Sequence, residues 1–287
     1  LNGLTLGSLY ALIAIGYTMV YGILRLINFA HSEVFMLGAY FVLWGLTLFY
    51  LPWFVAIVAA IFVTAAIGIL VDRVAYRPLR GASRLVPLIS AIGVSFLLQD
   101  VIRLVEGLTT GDFNRIFPSF GNFDQRLNFG KLALGETTIN LGISIKSIIV
   151  IVAAMLMLMG LNYLVNATRI GKAIRAVAQD RPTASLMGIN VNRIISITFL
   201  VGGLLGGAAG VLYALKFTRI DPFVGFFPGL KAFAAAVLGG IGNLTGALLG
   251  GIVLGMLETF AGSYMDVFTM GAAGSAMESL RRLGLDE

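Results

Sequence analysis

The stretch "FLVGGLLGGAAGVLYAL", residues 199–215, combines a continuous apolar run with glycines at a fixed helical spacing. Gly202, Gly206 and Gly210 recur at every fourth residue, and a second row of glycines runs beside them. In a bilayer, lipid offers no hydrophobic drive for helices to associate, and rows of small residues let two backbones approach closely. The pattern predicts a membrane-spanning helix. Its glycine rows are expected to pack inside the chain, or else to form a subunit interface or a moving joint.

The composition of the whole chain agrees with this interpretation. The 287 residues are 58% hydrophobic and 12% charged, with a mean hydropathy of +0.94, whereas about a quarter of the residues are charged in soluble domains. The net charge of +6 comes with Lys and Arg in short segments beside apolar runs, which is typical of membrane orientation and not of nucleic-acid binding. The absence of cysteine excludes disulfides, thiol catalysis and thiolate metal sites.

Apolar runs of spanning or half-spanning length recur along the chain, and they are continuous, which favours helices over a β-barrel. The predicted fold class is all-α, a polytopic membrane protein of about eight transmembrane or half-spanning helices. The runs lie at about residues 2–24, 26–50, 53–71, 85–105, 147–165, 194–215, 230–241 and 244–261. Residues 1–266 are then one membrane domain, followed by a polar tail at 267–287.

The distribution of basic residues predicts the orientation. Lys and Arg dominate residues 72–84 and 166–193, while residues 106–145 carry charges of both signs. Short loops rich in Lys and Arg stay in the cytoplasm. The first two segments are therefore expected inside, and residues 106–145 and the N-terminus outside.

Polar residues interrupt the second apolar run at "INFAHSEV", residues 27–34. Asn28, His31 and Ser32 share one helical face, and Glu33 lies beside them. Ionisable groups in a membrane usually line a cavity or pair with each other. Two interpretations stay open: this face lines a solute path, or Asn28 caps a helix at the membrane interface with His31 and Glu33 in water.

Other polar residues in apolar runs have simpler explanations. Asp100 and Arg103 are predicted to form an ion pair at i, i+3 spacing. Glu258 is expected either to pair or line a path, or to lie near a helix end at the interface. His31 is the only histidine, which excludes a histidine-cluster metal site. No nucleophile with a positioned base is visible, and no G-x-x-x-x-G-K-[ST] loop would bind ATP.

The basic segment "GKAIRAVAQDRPTASLMGIN", residues 171–190, is too short to span a membrane. Its pattern predicts two short helices, with Asp180 capping the second, Pro182 in its first turn and Gly188 ending it. The first helix carries an apolar stripe of Ile174, Val177 and Ala178. The segment is expected either to lie on the bilayer, held by anionic lipid, or to dock a cytosolic partner.

The last apolar region contains a soft break at "AVLGGIGNLTGALLGG", residues 236–251. Its glycines predict a broken helix of the kind that places irregular backbone beside a cavity. Gly239, Gly240 and Gly242 are therefore candidates for lining a solute path.

Several long segments resemble the permeases of branched-chain amino acid ABC importers of the LivH type, over about residues 2–262. The segments that carry the resemblance are "NGLTLGSLYALIAIGYTMVYGILRLINFAHSEVFMLGAY" (2–40), "DRVAYRPLR" (72–80), "GKAIRAVAQDRPTASLMGINVNRIISITFLVGGLLGGAAGVLY" (171–213) and "GLKAFAAAVLGGIGNLTGALLGGIVLGMLE" (229–258). "NFAHSE" stands where the family has "NFAHGE", and a modest disturbance is expected from Ser32.

The resemblance implies a permease subunit of the cytoplasmic (inner) membrane that carries leucine, isoleucine and valine by alternating access. It implies three kinds of partner: a homologous second permease, two cytosolic ATPases that bind ATP and Mg²⁺, and a periplasmic or lipid-anchored binding protein that docks on outer loops including 106–145. The chain itself would bind no cofactor and catalyse no reaction. Loop 166–193 would couple it to the ATPases, through Gly171, Arg175, Ala178, Asp180, Pro182, Ala184, Leu186 and Gly188. The path would include Asn28, His31, Ser32, Glu33, Gly239, Gly240 and Gly242.

The tail departs from the family pattern, in which another apolar span follows. Here "GAAGSAMESLRRLGLDE", residues 271–287, is polar, and we expect a shifted or artificially ended reading frame. Permeases for urea, short amides or sugars share the framework and remain alternatives. A gradient-driven secondary transporter is a more distant one, because it would need paired acids within the membrane.

Overall fold

The apolar runs form long helices. The computed structural model describes residues 1–83, 85–118, 123, 125–134 and 137–282, with side chains described outside 128–142 and 266–282. The helices are α1 (Asn2–Leu24), α2 (His31–Thr47), α3 (Trp53–Val71), α4 (Leu85–Thr109), α5 (Ile145–Ala167), α6 (Arg169–Gln179), α7 (Arg181–Leu186), α8 (Val191–Lys216), α9 (Phe226–Gly239) and α10 (Leu244–Arg282). The strands are β1 (Arg115–Ile116), β2 (Arg126–Leu134), β3 (Thr137–Ser144) and β4 (Arg219–Ile220).

Six of the described helices are long and apolar enough to cross a membrane: α1, α3, α4, α5, α8 and α10. Two more are apolar but shorter, α2 with 17 residues and α9 with 14. The prediction of an all-α membrane protein with about eight spanning or half-spanning helices is confirmed. The second run differs in one respect, because its first residues are irregular and α2 begins only at His31.

The turn after α3 is helical rather than extended. Asp72–Tyr76 form a widened helical turn and Arg77–Leu79 a tightened one. Pro78 removes a backbone donor there. This turn carries Arg73 and Arg77 of the first predicted cytoplasmic loop, and Arg80 follows it directly.

The described strands lie at the end of the spans that is away from the turn after α3. β2 and β3 form an antiparallel hairpin in which Arg126 faces Ser144, and β1 pairs with β4 just after α8. This hairpin within the polar loop 106–145 was not predicted from the sequence.

Helices α1 and α8 form the centre of the bundle. Of the 18 most apolar consecutive residues in each helix, 83% are buried in α1 and 78% in α8. The corresponding share is 33% or less in α3, α4, α5 and α10. The outer helices therefore present apolar side chains on the outside of the chain, where lipid or a partner subunit can cover them.

The glycine rows explain how α8 packs. A Cβ on Gly210 would meet the backbone oxygen of Phe35 in α2, and a Cβ on Gly203 would lie 2.8 Å from the Cα of Ala65 in α3. The rows of α10 behave in the same way, with Gly251 against Ala11 of α1 and Gly250 against Ala235 of α9. The predicted internal packing is therefore confirmed, including for Gly202 and Gly206, which face His31.

The backbone of α10 continues through residues 267–282, the first part of the predicted tail, without a break at 266. Residues 283–287 lie outside the described residues. The hypothesis of a shifted reading frame stays a prediction.

Candidate translocation site and coupling surface

The start of α2 lies inside the protein. Arg25 ends α1 in a left-handed conformation, with φ of 57°, and α2 begins at His31 after an irregular segment. Asn28, His31, Ser32 and Glu33 are all buried, with exposed fractions of 7% or less. The interpretation as a wetted interface cap is therefore wrong, and Ala30 rather than Asn28 occupies the position that caps α2.

Asn28 and His31 have separate surroundings. The hydroxyl of Tyr76 donates to Asn28 Oδ1 at 2.5 Å, which ties the irregular segment to the turn after α3. His31 fills a space left by glycines, because a Cβ on Gly16 would overlap its ring and one on Gly206 would lie 3.3 Å from Cε1. The edge of Tyr17 closes the site, with ring centroids 4.9 Å apart.

Glu33 organises a polar cluster between α2 and α4. Its Oε1 accepts hydrogen bonds from Gln99 Nε2 at 2.8 Å, Ser95 Oγ at 3.1 Å and Ser32 Oγ at 3.2 Å. Its Oε2 has no hydrogen-bond partner among the described residues. The carboxylate is fully buried. Within the described part of the chain, only one of its two oxygens accepts hydrogen bonds.

Ser32 fits because the opposite helix provides room. A Cβ on Gly229 in α9 would collide with the Cβ of Ser32, and one on Gly225 would lie 2.9 Å from Glu33 Oε2. Glycine at these two positions lets the backbone before and within α9 approach the polar cluster.

A pocket of about 130 Å³ opens beside this cluster. Its polar lining is Ser32, Ser95 and Gln99, and its apolar lining is Tyr17, Phe29, Ile92, Phe96, Phe226, Leu230 and Phe233. Phe96, Phe226 and Leu230 are more than half exposed. The pocket therefore has polar groups in its depth and apolar side chains at its mouth.

The predicted break between α9 and α10 is present at residues 240–243, but its glycines do different things. Gly239 packs against the backbone of Gly246, whereas Gly240 and Gly242 have positive φ values of 89° and 98° and open space around the Cβ position. Positive φ favours glycine. Ile241 in this turn lies beside Ile27, around one small cavity. Whether these residues line a path stays a prediction.

Two other charged residues that the sequence singles out, Asp100 and Glu258, are paired. The Asp100–Arg103 ion pair is confirmed at 3.2 Å. Glu258 accepts from Lys231 Nζ at 2.5 Å and from the hydroxyl of Tyr10 at 2.9 Å, so it pairs with neighbouring helices and does not lie free at the interface.

The basic segment forms the two short helices that the sequence predicts, α6 and α7. Thr168 caps α6 by accepting from the backbone N–H of Gly171 at 3.0 Å. Pro182 lies in the first turn of α7, and Gly188 follows its end with φ of 81°. Asp180 occupies the capping position, but its carboxylate accepts from the Thr183 hydroxyl and caps no backbone N–H.

The apolar stripe of α6 faces the protein and not the lipid surface. Ile174 and Val177 are buried, and α6 packs against α1, α5 and α8. Gly171 and Ala184 are buried as well, and a Cβ on Gly171 would meet the backbone of Val165. The stripe is therefore packed inside the chain, and whether the segment docks a cytosolic partner through its outward surface stays a prediction.

The outward surface of the segment has different residues. Leu186 and Met187 are 87% and 78% exposed. Arg175, Asp180 and Pro182 are exposed too, and Ala178 is half-buried. Arg175 reaches back to the carbonyl oxygen of Val165 at the end of α5. An apolar pair beside charged groups is a surface suited to a protein partner.

The segment is attached directly to the ends of the spans. Arg181 donates to the carbonyl oxygen of Ile23, and Arg25 donates to that of Ala178 at 3.3 Å. The end of α1 thus lies beside α6 and α7, and α1 begins at the opposite side of the bundle. This arrangement agrees with the predicted orientation.

A cavity of about 370 Å³ separates α6 and α7 from the turn after α3. Arg25, Arg80 and Arg181 all line it. Burial, with the neighbouring guanidinium groups of Arg80 and then Arg25, lowers the pKa of Arg181. The fully buried carboxylate of Asp72 pairs with Arg80 and accepts from Ser196 Oγ at 2.6 Å.

Sequence reasoning missed three participants in these sites. Ser95 carries no signal of its own in an apolar run, Gln99 precedes Asp100 in the same run, and Tyr76 belongs to a basic loop. Each contacts the "INFAHSEV" segment from a distant part of the chain, and helical spacing within one segment does not reveal such contacts.

Comparison with known proteins adds independent findings. The family model for the branched-chain amino acid transport system permease component matches residues 1–279. The chain is 44% identical over 284 residues to the high-affinity branched-chain amino acid transport system permease protein BraD of Pseudomonas aeruginosa, covering 94% of this chain and 89% of BraD. It is 41% identical over 274 residues to LivH of Escherichia coli K12, covering 92% and 85%. No solved structure matches the chain.

Proposed function

This chain belongs to the family of branched-chain amino acid transport system permease components, and from that membership we propose that it translocates leucine, isoleucine and valine as the permease subunit of an ATP-driven importer. It is a multi-pass protein of the cytoplasmic membrane and a transport subunit. The observation that carries the proposal is the family match along residues 1–279, supported by 44% identity to BraD.

The proposed assembly contains a second, homologous permease and two cytosolic ATPases, which bind ATP and Mg²⁺. A binding protein, periplasmic or lipid-anchored, delivers the solute to the outer face, where the loop 106–145 lies in the predicted orientation. The apolar outer flanks of α3, α4, α5 and α10 supply enough surface for both lipid and the second permease.

Coupling is proposed to run from the ATPases through α6 and α7 into the spans. The exposed pair Leu186 and Met187 gives the outward surface of this segment an apolar contact for a partner. The hydrogen bonds from Arg181 to Ile23 and from Arg25 to Ala178 join the segment to the end of α1. A displacement of α7 would therefore be transmitted to α1 and to the irregular segment before α2, with the adjoining cavity leaving room for it.

Translocation is proposed to follow the polar cluster at the start of α2. A zwitterionic amino acid needs polar contacts on a mostly apolar route, and the buried residues Asn28 and Ser32 offer them, with Glu33 hydrogen-bonded behind Ser32. Selectivity for the solute can then reside largely in the binding protein, with weak contacts sufficing here.

The substrate class is tested by competition in cells that lack their own branched-chain amino acid transport. The chain is expressed with its candidate partner permease, ATPases and binding protein, and uptake of radiolabelled leucine is measured. Unlabelled isoleucine and valine are expected to compete, and urea, acetamide and ribose are not. Uptake that urea, an amide or a sugar suppresses, while isoleucine has no effect, would overturn the assigned substrate class.

A further inference from the structure

The pocket between α1, α2, α4 and α9 has a polar depth and an apolar wall, and its polar groups are oriented by a residue behind them. Glu33 does not itself line the pocket. It accepts hydrogen bonds from all three polar lining residues, Ser32, Ser95 and Gln99. The hydroxyl protons of both serines and one amide proton of Gln99 are thus directed toward the carboxylate or the backbone.

The groups that remain are mostly acceptors, with the second amide N–H of Gln99 as the one further donor of these three side chains. A serine hydroxyl that donates its single proton still has oxygen lone pairs, and a glutamine amide that donates through nitrogen still has its carbonyl oxygen. The proton of Ser32 goes to Phe29 O at 2.8 Å or to Glu33, and in both cases not to the pocket. The two hydroxyl oxygens and the amide carbonyl oxygen can together accept from an ammonium group, which has three donors and no acceptor.

The charge of Glu33 supports the same ligand. Among the residues that the structure describes, no lysine or arginine forms an ion pair with this fully buried carboxylate, and its Oε2 has no hydrogen-bond partner. A buried carboxylate without a countercharge is costly. A cation bound on the three acceptors would lie next to the carboxylate and supply the missing charge.

The rest of the pocket suits an aliphatic side chain. Phe233 contacts both Tyr17 and Phe29, with ring centroids 6.1 and 5.9 Å apart, and these rings form a continuous apolar wall. The volume of about 130 Å³ is well below that of pockets for drug-sized ligands, about 300 to 1,000 Å³. The pocket therefore takes a small amphiphilic molecule with one polar end.

We propose that this pocket is a binding site for the ammonium group and side chain of an aliphatic amino acid. The amine is bound by Ser32, Ser95 and Gln99, and the hydrocarbon side chain lies on Phe29 and Phe233. Glu33 is a positioning residue, which directs the three polar side chains and contributes its charge. The inference rests on the proposed function, since it locates a contact site for the transported solute.

Ligand dissection separates the two ends of the solute. The complex of this chain with its partner permease and ATPases is placed in nanodiscs without binding protein, and its thermal stability is measured with leucine, isoamylamine or 4-methylpentanoate. Leucine and isoamylamine, which both have the amine, are expected to raise Tm, and 4-methylpentanoate is not. Stabilisation by 4-methylpentanoate and not by isoamylamine, or no stabilisation by leucine, would overturn the site.

Variants test the named residues. Ser95→Ala and Gln99→Leu are each expected to remove the leucine-induced shift and lower leucine uptake about tenfold or more, as for the loss of a hydrogen bond to a charged group. Ser90→Ala is the matched control, because Ser90 lies on the same helix and bonds only to Ala75 O at 3.4 Å. Uptake and shifts like those of wild type in both site variants would overturn the assignment.

A third variant places a lysine side chain in the site, where the solute would bind. Ser95→Lys would place an ammonium group next to Glu33, and the complex is expected to assemble normally while losing leucine uptake and the leucine-induced shift. Normal uptake by Ser95→Lys would contradict the site. Failure of this site and failure of the proposed function are distinguishable, because the first leaves leucine uptake by the wild-type complex intact and the second abolishes it.

Discussion

At the scale of single residues, close packing inside the bundle depends on glycines that leave no room for a Cβ atom. Gly210 of α8 lies directly against the carbonyl oxygen of Phe35 in α2. Gly160 of α5 is also helical, but nothing lies within 4 Å of the place where its Cβ would be. The two glycines therefore separate the effect of close packing from the effect of helix propensity.

We expect Gly210→Ala to destabilise the protein by about 1–3 kcal/mol, the usual cost of forcing extra atoms into a packed interior. Gly160→Ala should be neutral or stabilising by up to about 1 kcal/mol, because alanine favours a helix. Thermal unfolding of the detergent-solubilised protein measures both. Equal Tm values for the two variants would contradict the tight seam between α8 and α2.

The buried pair Asp72–Arg80 is a second residue-scale test. Arg80→Gln leaves a fully buried carboxylate without its cation, and breaking such a pair costs about 3–5 kcal/mol. Arg73→Gln, one residue from Asp72 and exposed, is the control and should change little. Adding Asp72→Asn to Arg80→Gln should recover part of the lost Tm, and no difference between the single and double variants would argue against the pair.

At the scale of elements, α6 and α7 turn one face to the spans and the other outward. The same sequence pattern, an apolar stripe at helical spacing, was compatible with lipid, with a partner and with the protein itself. The structure places the stripe against α1, α5 and α8, and the exposed apolar residues are at the end of α7 instead. Substitutions at buried positions of this segment should therefore lower Tm, whereas substitutions at exposed positions should weaken binding of the partner.

We expect Leu186→Glu combined with Met187→Glu to abolish co-purification of the ATPases while leaving Tm and membrane expression unchanged, since both side chains are exposed. Leu186→Met keeps an apolar side chain and should retain the ATPases. Ala184→Glu buries a charge and should lower Tm itself. Full recovery of the ATPases with the double glutamate variant would remove α7 from the coupling surface.

The elements were largely predictable from the sequence, and the contacts between them were not. Hydropathy and spacing predicted the spans, the two short helices of the basic segment and the break near Gly240, because these depend on local composition. The hairpin of β2 and β3 was not predicted, although Ile139, Leu141 and Ile143 alternate with polar or small residues in the manner of a strand. Gln99 and Ser95 meet Glu33 across 66 and 62 residues, and that juxtaposition follows from packing.

At the scale of the whole molecule, the account requires a definite orientation in the membrane. The basic turn 72–83 and helices α6 and α7 are expected in the cytoplasm, and the β1–β4 pair outside. The sequence contains no cysteine. Labelling of this chain at a single introduced cysteine therefore shows on which side of the membrane that residue lies.

We expect Ser185→Cys to react with a membrane-impermeant maleimide only in inverted membrane vesicles, and Asn114→Cys only in intact cells with a permeable outer envelope. Both positions are exposed. Labelling after detergent solubilisation controls for reactivity at each site. Reaction of Ser185→Cys in intact cells would contradict the predicted orientation. It would place α7 outside the cell, where no cytosolic ATPase can reach it.

The central claim is that ATP hydrolysis by partner subunits drives import of branched-chain amino acids through this chain, and its most direct test is leucine uptake into proteoliposomes containing the purified complex. With binding protein outside and ATP with Mg²⁺ inside, we predict leucine accumulation that stops when a non-hydrolysable ATP analogue replaces ATP. An imposed proton or sodium gradient without ATP should produce none. Accumulation driven by an ion gradient alone, in the absence of ATP, would contradict the account and make the chain a gradient-driven carrier.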